Sequence, residues 1–304
     1  MNLFNNNRLD LYERYPWLKI TTTIEDYIEP CYYDRLLKEY VFSGKTDLQL
    51  FDEFLSSMTN NNYNAINALE LGCGSGRATE VFLNKFKDGK VRLRLVDLSI
   101  RMLEFCRKRF KKTSFVKSDS VEFLSKTNDK YDVIFSLWSF SHSVHQILIN
   151  QGVTSGGRYV RDTIKKVIIN NMIKGSRLFI IHFDSTSEEQ EILMSQWKKV
   201  FTLYNNIEIQ SPSKLLLDEI FEELRKECLI NLTLSHHEGE DIDYSSLDEA
   251  LEIFFNFHME SYFNESPLLP IVVGELTEYF KNFMDNEGVI RIKPGCFTYN
   301  IEKI

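Results

Sequence analysis

The sequence predicts an α/β fold of the doubly wound kind, and three observations carry that expectation. From residue 66 onward, short apolar runs alternate with helix-compatible segments, the pattern of a mostly parallel sheet covered on both faces. The first run, Asn67-Ala68-Leu69-Glu70-Leu71, enters a turn with glycine at every second position, Gly72-Cys73-Gly74-Ser75-Gly76, and a helical segment leaves it. An acidic residue, Asp97, closes the second run. Crossovers between parallel strands are right-handed, which distributes the helices over both faces.

The chain has 304 residues, 43% of them apolar and 26% charged, enough for one large core domain with a smaller cap. A formal charge of −8 repels a polyanion, so no nucleic-acid partner is expected. The basic run Arg101, Arg107, Lys108, Arg109, Lys111 and Lys112 reads as the solvated face of a helix. Five scattered cysteines, Cys31, Cys73, Cys106, Cys228 and Cys296, include no CxxC pair. Neither a disulfide framework nor a zinc site is therefore expected, and a cytoplasmic setting fits. Residues 1–10 are polar and asparagine-rich, unlike a signal peptide, and runs such as 178–181 are too short to span a bilayer.

Residues 1–64 carry many aromatics and no glycine-rich turn. Leu36, Leu37, Tyr40 and Val41, then Leu48, Leu50, Phe51, Phe54 and Leu55, recur at helical spacing and predict two or three amphipathic helices forming an N-terminal cap. Strands are expected over 66–71, 91–96, 114–117 and 131–138, with helices over 78–86, 100–110 and 120–125 between them. A polar, glycine-bearing loop over 139–157 is longer than connections in compact domains usually are. A helix over 159–172 and a fifth strand over 177–183 follow. Ser187, with Glu188 and Glu189 behind it, reads as the N-cap of a helix reaching 204; Pro212 precedes another over 213–227, and a sixth strand covers 228–235. Helices over 247–263 and 271–284 form an insertion, residues 246–286, ahead of last strands at 289–293 and 296–302 joined by Pro294-Gly295. The core domain thus runs over 65–304 behind a cap of residues 1–64.

The glycine spacing discriminates among ligands. A dinucleotide cradle wants G-x-G-x-x-G, and a P-loop wants Lys before Ser or Thr; here the third glycine is Gly76, followed by Arg77-Ala78-Thr79. Asp97 stands 21 residues after Gly76, where a carboxylate accepts two ribose hydroxyls. Ser99 is placed as the next N-cap and Met102 to lie against an adenine face. Asp119, in Ser118-Asp119-Ser120, can accept from an adenine amino group, and Phe135-Ser136-Leu137-Trp138 ends at the same sheet edge.

In this order the segments resemble the class I S-adenosylmethionine-dependent methyltransferases of the small-molecule type: the E-x-G-x-G-x-G loop, D-x-S-x-x-M-L, the acid after the third strand and Tyr131-Asp132-Val133-Ile134-Phe135-Ser136 all match. The resemblance covers residues 65–185 by motif and 186–304 by architecture. It implies a Rossmann-like, mostly parallel seven-stranded sheet and S-adenosylmethionine as cofactor. Glu70, Gly72, Gly74 and Gly76 would approach its methionine part, Asp97 its ribose, and Met102, Asp119 and Ser120 its adenine, with Leu98 and Ser136 as further contacts.

A sulfonium methyl is already electrophilic, so the protein mainly aligns the acceptor and excludes water; a base is needed only for an acceptor that arrives protonated. His142, His145 and His182 are the candidate acid–base residues. Tyr27, Tyr33, Trp138, Arg158 and His236 are the candidate substrate contacts, Tyr27 and Tyr33 as a lid and Arg158 as a carboxylate clamp. Where amino-methylating relatives carry Asn-Pro-Pro-Tyr, this chain reads Ser136-Leu137-Trp138-Ser139. The expectation is methyl transfer to N, O or C of a small molecule, without a metal or a membrane, with a homodimer as a possible assembly. The alternatives are a peptide or protein acceptor, or a non-catalytic cofactor-binding scaffold.

Overall fold

The computed structural model describes residues 2–19, 34, 36–58, 65–204 and 210–304. Tyr27 and Tyr33 lie outside the described residues. The chain opens with α1 (Asn2–Arg14), the hairpin β1 (Val41–Phe42) and β2 (Lys45–Thr46), and α2 (Asp47–Met58). The core alternates β3 (Ala65–Leu71), α3 (Arg77–Lys85), β4 (Lys90–Asp97), α4 (Ile100–Arg109), β5 (Ser114–Lys117), α5 (Ser120–Lys126), β6 (Tyr131–Leu137), α6 (Ser139–Lys166) and β7 (Met172–Phe183). Then come α7 (Glu188–Trp197), α8 (Pro212–Lys226), β8 (Ile230–Glu238), β9 (Ile242–Tyr244), α9 (Leu247–Ile253), α10 (Leu269–Lys281), β10 (Ile290–Ile292) and β11 (Gly295–Lys303).

Seven strands form the central sheet in the order β5-β4-β3-β6-β7-β11-β8. The β5-β4-β3-β6-β7 pairs are parallel, and β11 runs antiparallel to both β7 and β8, so one strand is reversed. Side chains alternate between the two faces as the pleat requires: Val133 and Phe135 face one core, Ile134 the other. On the first face Phe51 lies 4.7 Å from Phe135, and Phe54 lies 4.7 Å from Phe179. On the second, α6 and α8 cover the sheet with Val144, Leu148, Leu217 and Phe221. Strand order reverses beside β3, which opens a crevice at the carboxyl ends of β3, β4 and β6.

Four expectations are corrected. The loop over 139–157 is helical: Phe140, Val144 and Leu148 recur every fourth residue and bury against the sheet, while the serines between them disguise the period. Helix α6 breaks at Gly152 (φ 78°, ψ 159°) and resumes, with a Cβ on Gly156 set to meet Ile147 O at 2.8 Å, so only glycine fits the bend. The helix expected near 36–41 ends at Leu37, and a hairpin follows from Val41, because Ser43 and Gly44 both take positive φ (51° and 79°) and close a two-residue turn. Strand β10 does not join the central sheet; it pairs with β9, and the two strands flank the 246–286 insertion. The helix expected over 247–263 stops at Ile253 and widens to a π-helical turn, Phe254–His258. Among the described residues no helix is long and apolar enough to cross a membrane.

Candidate functional site

At the carboxyl end of β3 the chain turns through Gly72, Gly74 and Gly76 at φ 72°, 49° and 85°, values that a side chain resists. A Cβ on Gly72 would meet Ser139 Oγ at 1.9 Å, and one on Gly76 would meet the Phe110 ring at 2.5 Å, so these two glycines admit neighbouring protein. Around the Cβ position of Gly74 nothing lies within 4 Å, so that side of the loop is open.

The loop is held from below. Gly72 N and Cys73 N donate to Val96 O at 2.7 and 3.2 Å. Gly74 N donates to Asp97 Oδ2 at 2.8 Å and Ser99 N to Oδ1 at 2.8 Å, so each carboxylate oxygen keeps a lone pair for another donor. The Cys106 thiol donates to Gly74 O at 3.3 Å, and Arg109 to Ser75 O at 2.5 Å. Burial pushes the Asp97 carboxyl above its ordinary range despite the hydrogen bonds from Gly74, Ser99 and Leu98. Glu70, 2% exposed, is pushed well above its ordinary value by burial, against the hydrogen bond it accepts from Thr79 Oγ1 at 2.5 Å.

Across the crevice, Trp138 takes φ 69°, a strained conformation for a bulky residue. Its backbone N–H donates to Ile181 O at 3.1 Å and its Nε1 to Asp47 Oδ2 at 2.9 Å. Asp47 is fully buried and accepts two further bonds from Arg77 at 2.9 Å each. One carboxylate on α2 therefore binds the first residue of the helix after the glycine loop to the tryptophan at the end of β6. Tyr40 and Phe42 pack on the same indole at 6.1 and 5.6 Å, and Phe183 at 4.7 Å.

The remaining cofactor candidates divide. Leu98 is 49% exposed at the end of β4, whereas Met102 is 3% exposed, so Leu98 offers the free apolar surface that the motif suggested for Met102. Asp119 caps α5 through Glu122 N (2.9 Å) and accepts from Ser143 Oγ (2.6 Å); Ser120 beside it is buried. Ser136 is fully buried, its hydroxyl donating to Leu71 O at 2.7 Å and accepting from Phe140 N at 3.1 Å, so this side chain ties strand ends together.

A family profile described as a methyltransferase domain matches residues 68–155, the span holding the glycine loop, Asp97 and Asp119. The chain is 26% identical over 286 residues, 88% of its length and 93% of the relative's, to a malonyl-acyl-carrier-protein O-methyltransferase of Priestia megaterium. An enzyme of the same name from Acetivibrio thermocellus is 26% identical over 38% of this chain and 41% of its own. A methyltransferase structure from Thiobacillus denitrificans aligns with TM-score 0.41 at 15% identity, over 83% of this chain and 91% of that one. Residues 68–155 therefore carry a methyltransferase domain, set within the seven-stranded sheet.

Within this methyltransferase the three candidate acid–base histidines separate. His182 is 1% exposed, its Nδ1 bonded to Phe183 O (2.7 Å) and its Nε2 to Ser213 Oγ (2.8 Å); burial lowers its pKa to about 4. With both nitrogens engaged, the ring holds β7 to α8 and leaves no site for a substrate proton. His145 Nε2 accepts from Ser213 N at 3.3 Å, and burial, with His182 and His142 nearby, holds the ring neutral. Only His142 is exposed, edge-on to Phe183 at 5.8 Å.

The substrate candidates separate as well. Trp138 follows the end of β6 but is only 3% exposed, with its Nε1 given to Asp47. His236 bonds through Nε2 to Asp184 Oδ2 at 2.6 Å and stacks 4.8 Å from Phe297, a pairing that already occupies it. Arg158 is exposed on α6 beyond the break at Gly152. Motif reading missed Asp47, Arg77, Cys106 and Arg109, whose only signal was an acid in the first turn of α2 and cations flanking the loop.

Proposed function

We propose that the methyltransferase transfers the methyl group to a small molecule, with the crevice between the glycine loop and Trp138 as the cofactor site. The open side of Gly74, above a loop whose backbone is clamped by Asp97, carries this reading: it is the one glycine of the three whose freedom no neighbouring protein atom uses. Backbone at Gly72–Gly76 holds the amino-acid part, the spare lone pairs of Asp97 accept ribose hydroxyls, and Leu98 covers the adenine beside Asp119 and Ser120. Met102 and Ser136 support these groups from within the packing, and buried Glu70 steadies the strand end through Thr79. When bound, S-adenosylmethionine supplies an electrophilic sulfonium methyl. The chain's part is alignment and exclusion of water by the Trp138, Tyr40 and Phe42 wall, with residues 1–64 and the 246–286 insertion as covers. His142 stands at the rim as the free imidazole.

Calorimetry with S-adenosylhomocysteine tests the site: Asp97→Ala and Gly74→Val both abolish binding, and unchanged affinity in both would sink it. Turnover of methyl-labelled cofactor with small amines, alcohols and carboxylic acids, against peptide mixtures, tests the acceptor class. The name of the Priestia megaterium relative favours a second reading, O-methylation of a carboxyl group carried on a protein, and label appearing only on such an acyl carrier would select it.

A further inference from the structure

Between the N-terminal segment and the insertion lies a cavity of about 240 Å³ that the glycine-loop site does not use. Leu36, Glu39 and Tyr40 form one wall, with β9, α9 and the π-helical turn opposite. Glu39, Asp243 and Glu249 line it, and among the described residues no lysine or arginine does; Arg291 pairs with Asp243 at 3.3 Å. Tyr40, Tyr244 and Phe257 add aromatic faces.

The floor holds an unsatisfied group. His258 lines the cavity with 3% of its side chain exposed, and its Nε2 has no hydrogen-bond partner. Glu189 Oε2, itself buried, lies 3.6 Å from that nitrogen and accepts the Tyr40 hydroxyl at 2.5 Å. Burial keeps His258 neutral against the pull of Glu189, so its Nε2 can serve as an acceptor. Tyr40 belongs to both sites, lining the cavity and packing 6.1 Å from Trp138 at the crevice. Anionic side chains, aromatic faces and a buried acceptor, with one of the three carboxylates paired to Arg291, suit an organic ammonium ion.

We propose that this cavity binds a small organic amine as its ammonium ion, with an N–H donated to His258 Nε2. The proposal goes beyond the small-molecule reading above, and it disfavours a carboxylate ligand, which the carboxylates of Glu39 and Glu249 would repel.

Titration calorimetry on the full chain with benzylamine, benzyl alcohol and benzoate separates cation, neutral and anion at matched size. Benzylamine binds tightest, at least about tenfold tighter than benzoate. Glu249→Gln, which keeps the acceptor that Ser245 uses at 2.7 Å and removes only the charge, weakens benzylamine about fivefold and leaves S-adenosylhomocysteine affinity unchanged. His258→Leu weakens benzylamine further. Benzoate binding as tightly as benzylamine overturns the proposal, as does undetectable benzylamine binding or benzylamine affinity unmoved in both variants. Benzylamine binding as expected beside absent S-adenosylhomocysteine binding upholds the cavity and refutes the cofactor site.

Discussion

Replacing Asp47 with alanine tests whether one buried carboxylate holds the two sides of the crevice together. Asp47 is fully exposed to its partners and not to water: it accepts two bonds from Arg77, one from Trp138 Nε1 and one from Leu48 N. Removing it strands a guanidinium that is only 14% exposed together with a buried indole N–H. Breaking a buried pair in this way costs about 3–5 kcal/mol, and the indole loss overlaps with it because the three groups share one network. Unfolding entropy of about 2.1 cal/mol/K per residue over 304 residues is about 0.64 kcal/mol/K, so a loss near 4 kcal/mol lowers Tm by about 6 °C. Asp47→Asn, which keeps an acceptor for Trp138, falls between. Glu53→Ala serves as the control: its partner Lys45 is 45% exposed, and the expected change is under about 1 °C. Differential scanning calorimetry reads all three variants. A drop below about 2 °C for Asp47→Ala, or one no larger than that of Glu53→Ala, refutes the argument that this network carries stability.

Gly74→Ala keeps Tm within about 2 °C of the parent, because its Cβ meets open space and only the positive φ is strained, yet it weakens S-adenosylhomocysteine in calorimetry; Gly72→Ala, with Ser139 Oγ at 1.9 Å, does the reverse and lowers Tm first. Burial raises the Glu70 pKa in the folded state, so its contribution to stability is complete below the unfolded value and is lost as pH rises through the folded one. Glu70→Gln therefore raises Tm at pH near 7.5 and not in acid, and a lower Tm at the higher pH contradicts this reading. His182 runs the opposite way: lowered from 6.5 to about 4 by burial, it gives stability above pH 6.5 that is lost as pH falls toward 4, up to about 3 kcal/mol. Urea titrations at pH 7 and 4.5 show that loss in the parent and a smaller one in His182→Gln.

The sheet was legible wherever one period dominated. The strands at 66–71, 91–96 and 131–138 were read within two residues at either end, because a strand buried on both faces is a continuous apolar run bounded by polar turns. Helix α6 was not, because Ser139, Ser141 and Ser143 suggest a loop while the apolar residues every fourth position decide the outcome. Strand β9 was hidden in a three-residue stretch, Ile242-Asp243-Tyr244, too short to show alternation without its partner β10. In the site, the glycine loop and Asp97 were visible because both are fixed by local backbone needs. Asp47, Glu189 and His258 were not, since what makes each of them informative is a partner between 30 and 149 residues away in the chain.

The histidines show why residue type alone misplaces chemistry. His182 and His145 both end up against Ser213 at the N-terminus of α8, where a neutral imidazole satisfies a backbone N–H and a hydroxyl that would otherwise be buried without partners. Their ring nitrogens are consumed by the fold. Asp97 has the converse position: it also holds the fold, through Gly74 and Ser99, but a carboxylate oxygen has two lone pairs and so retains capacity for a ligand after its backbone bonds are made. Loss of binding in Asp97→Ala therefore combines a relaxed loop with a lost ribose acceptor, and comparison with Gly74→Ala, whose Cβ meets open space and whose Asp97 carboxylate is intact, separates the two.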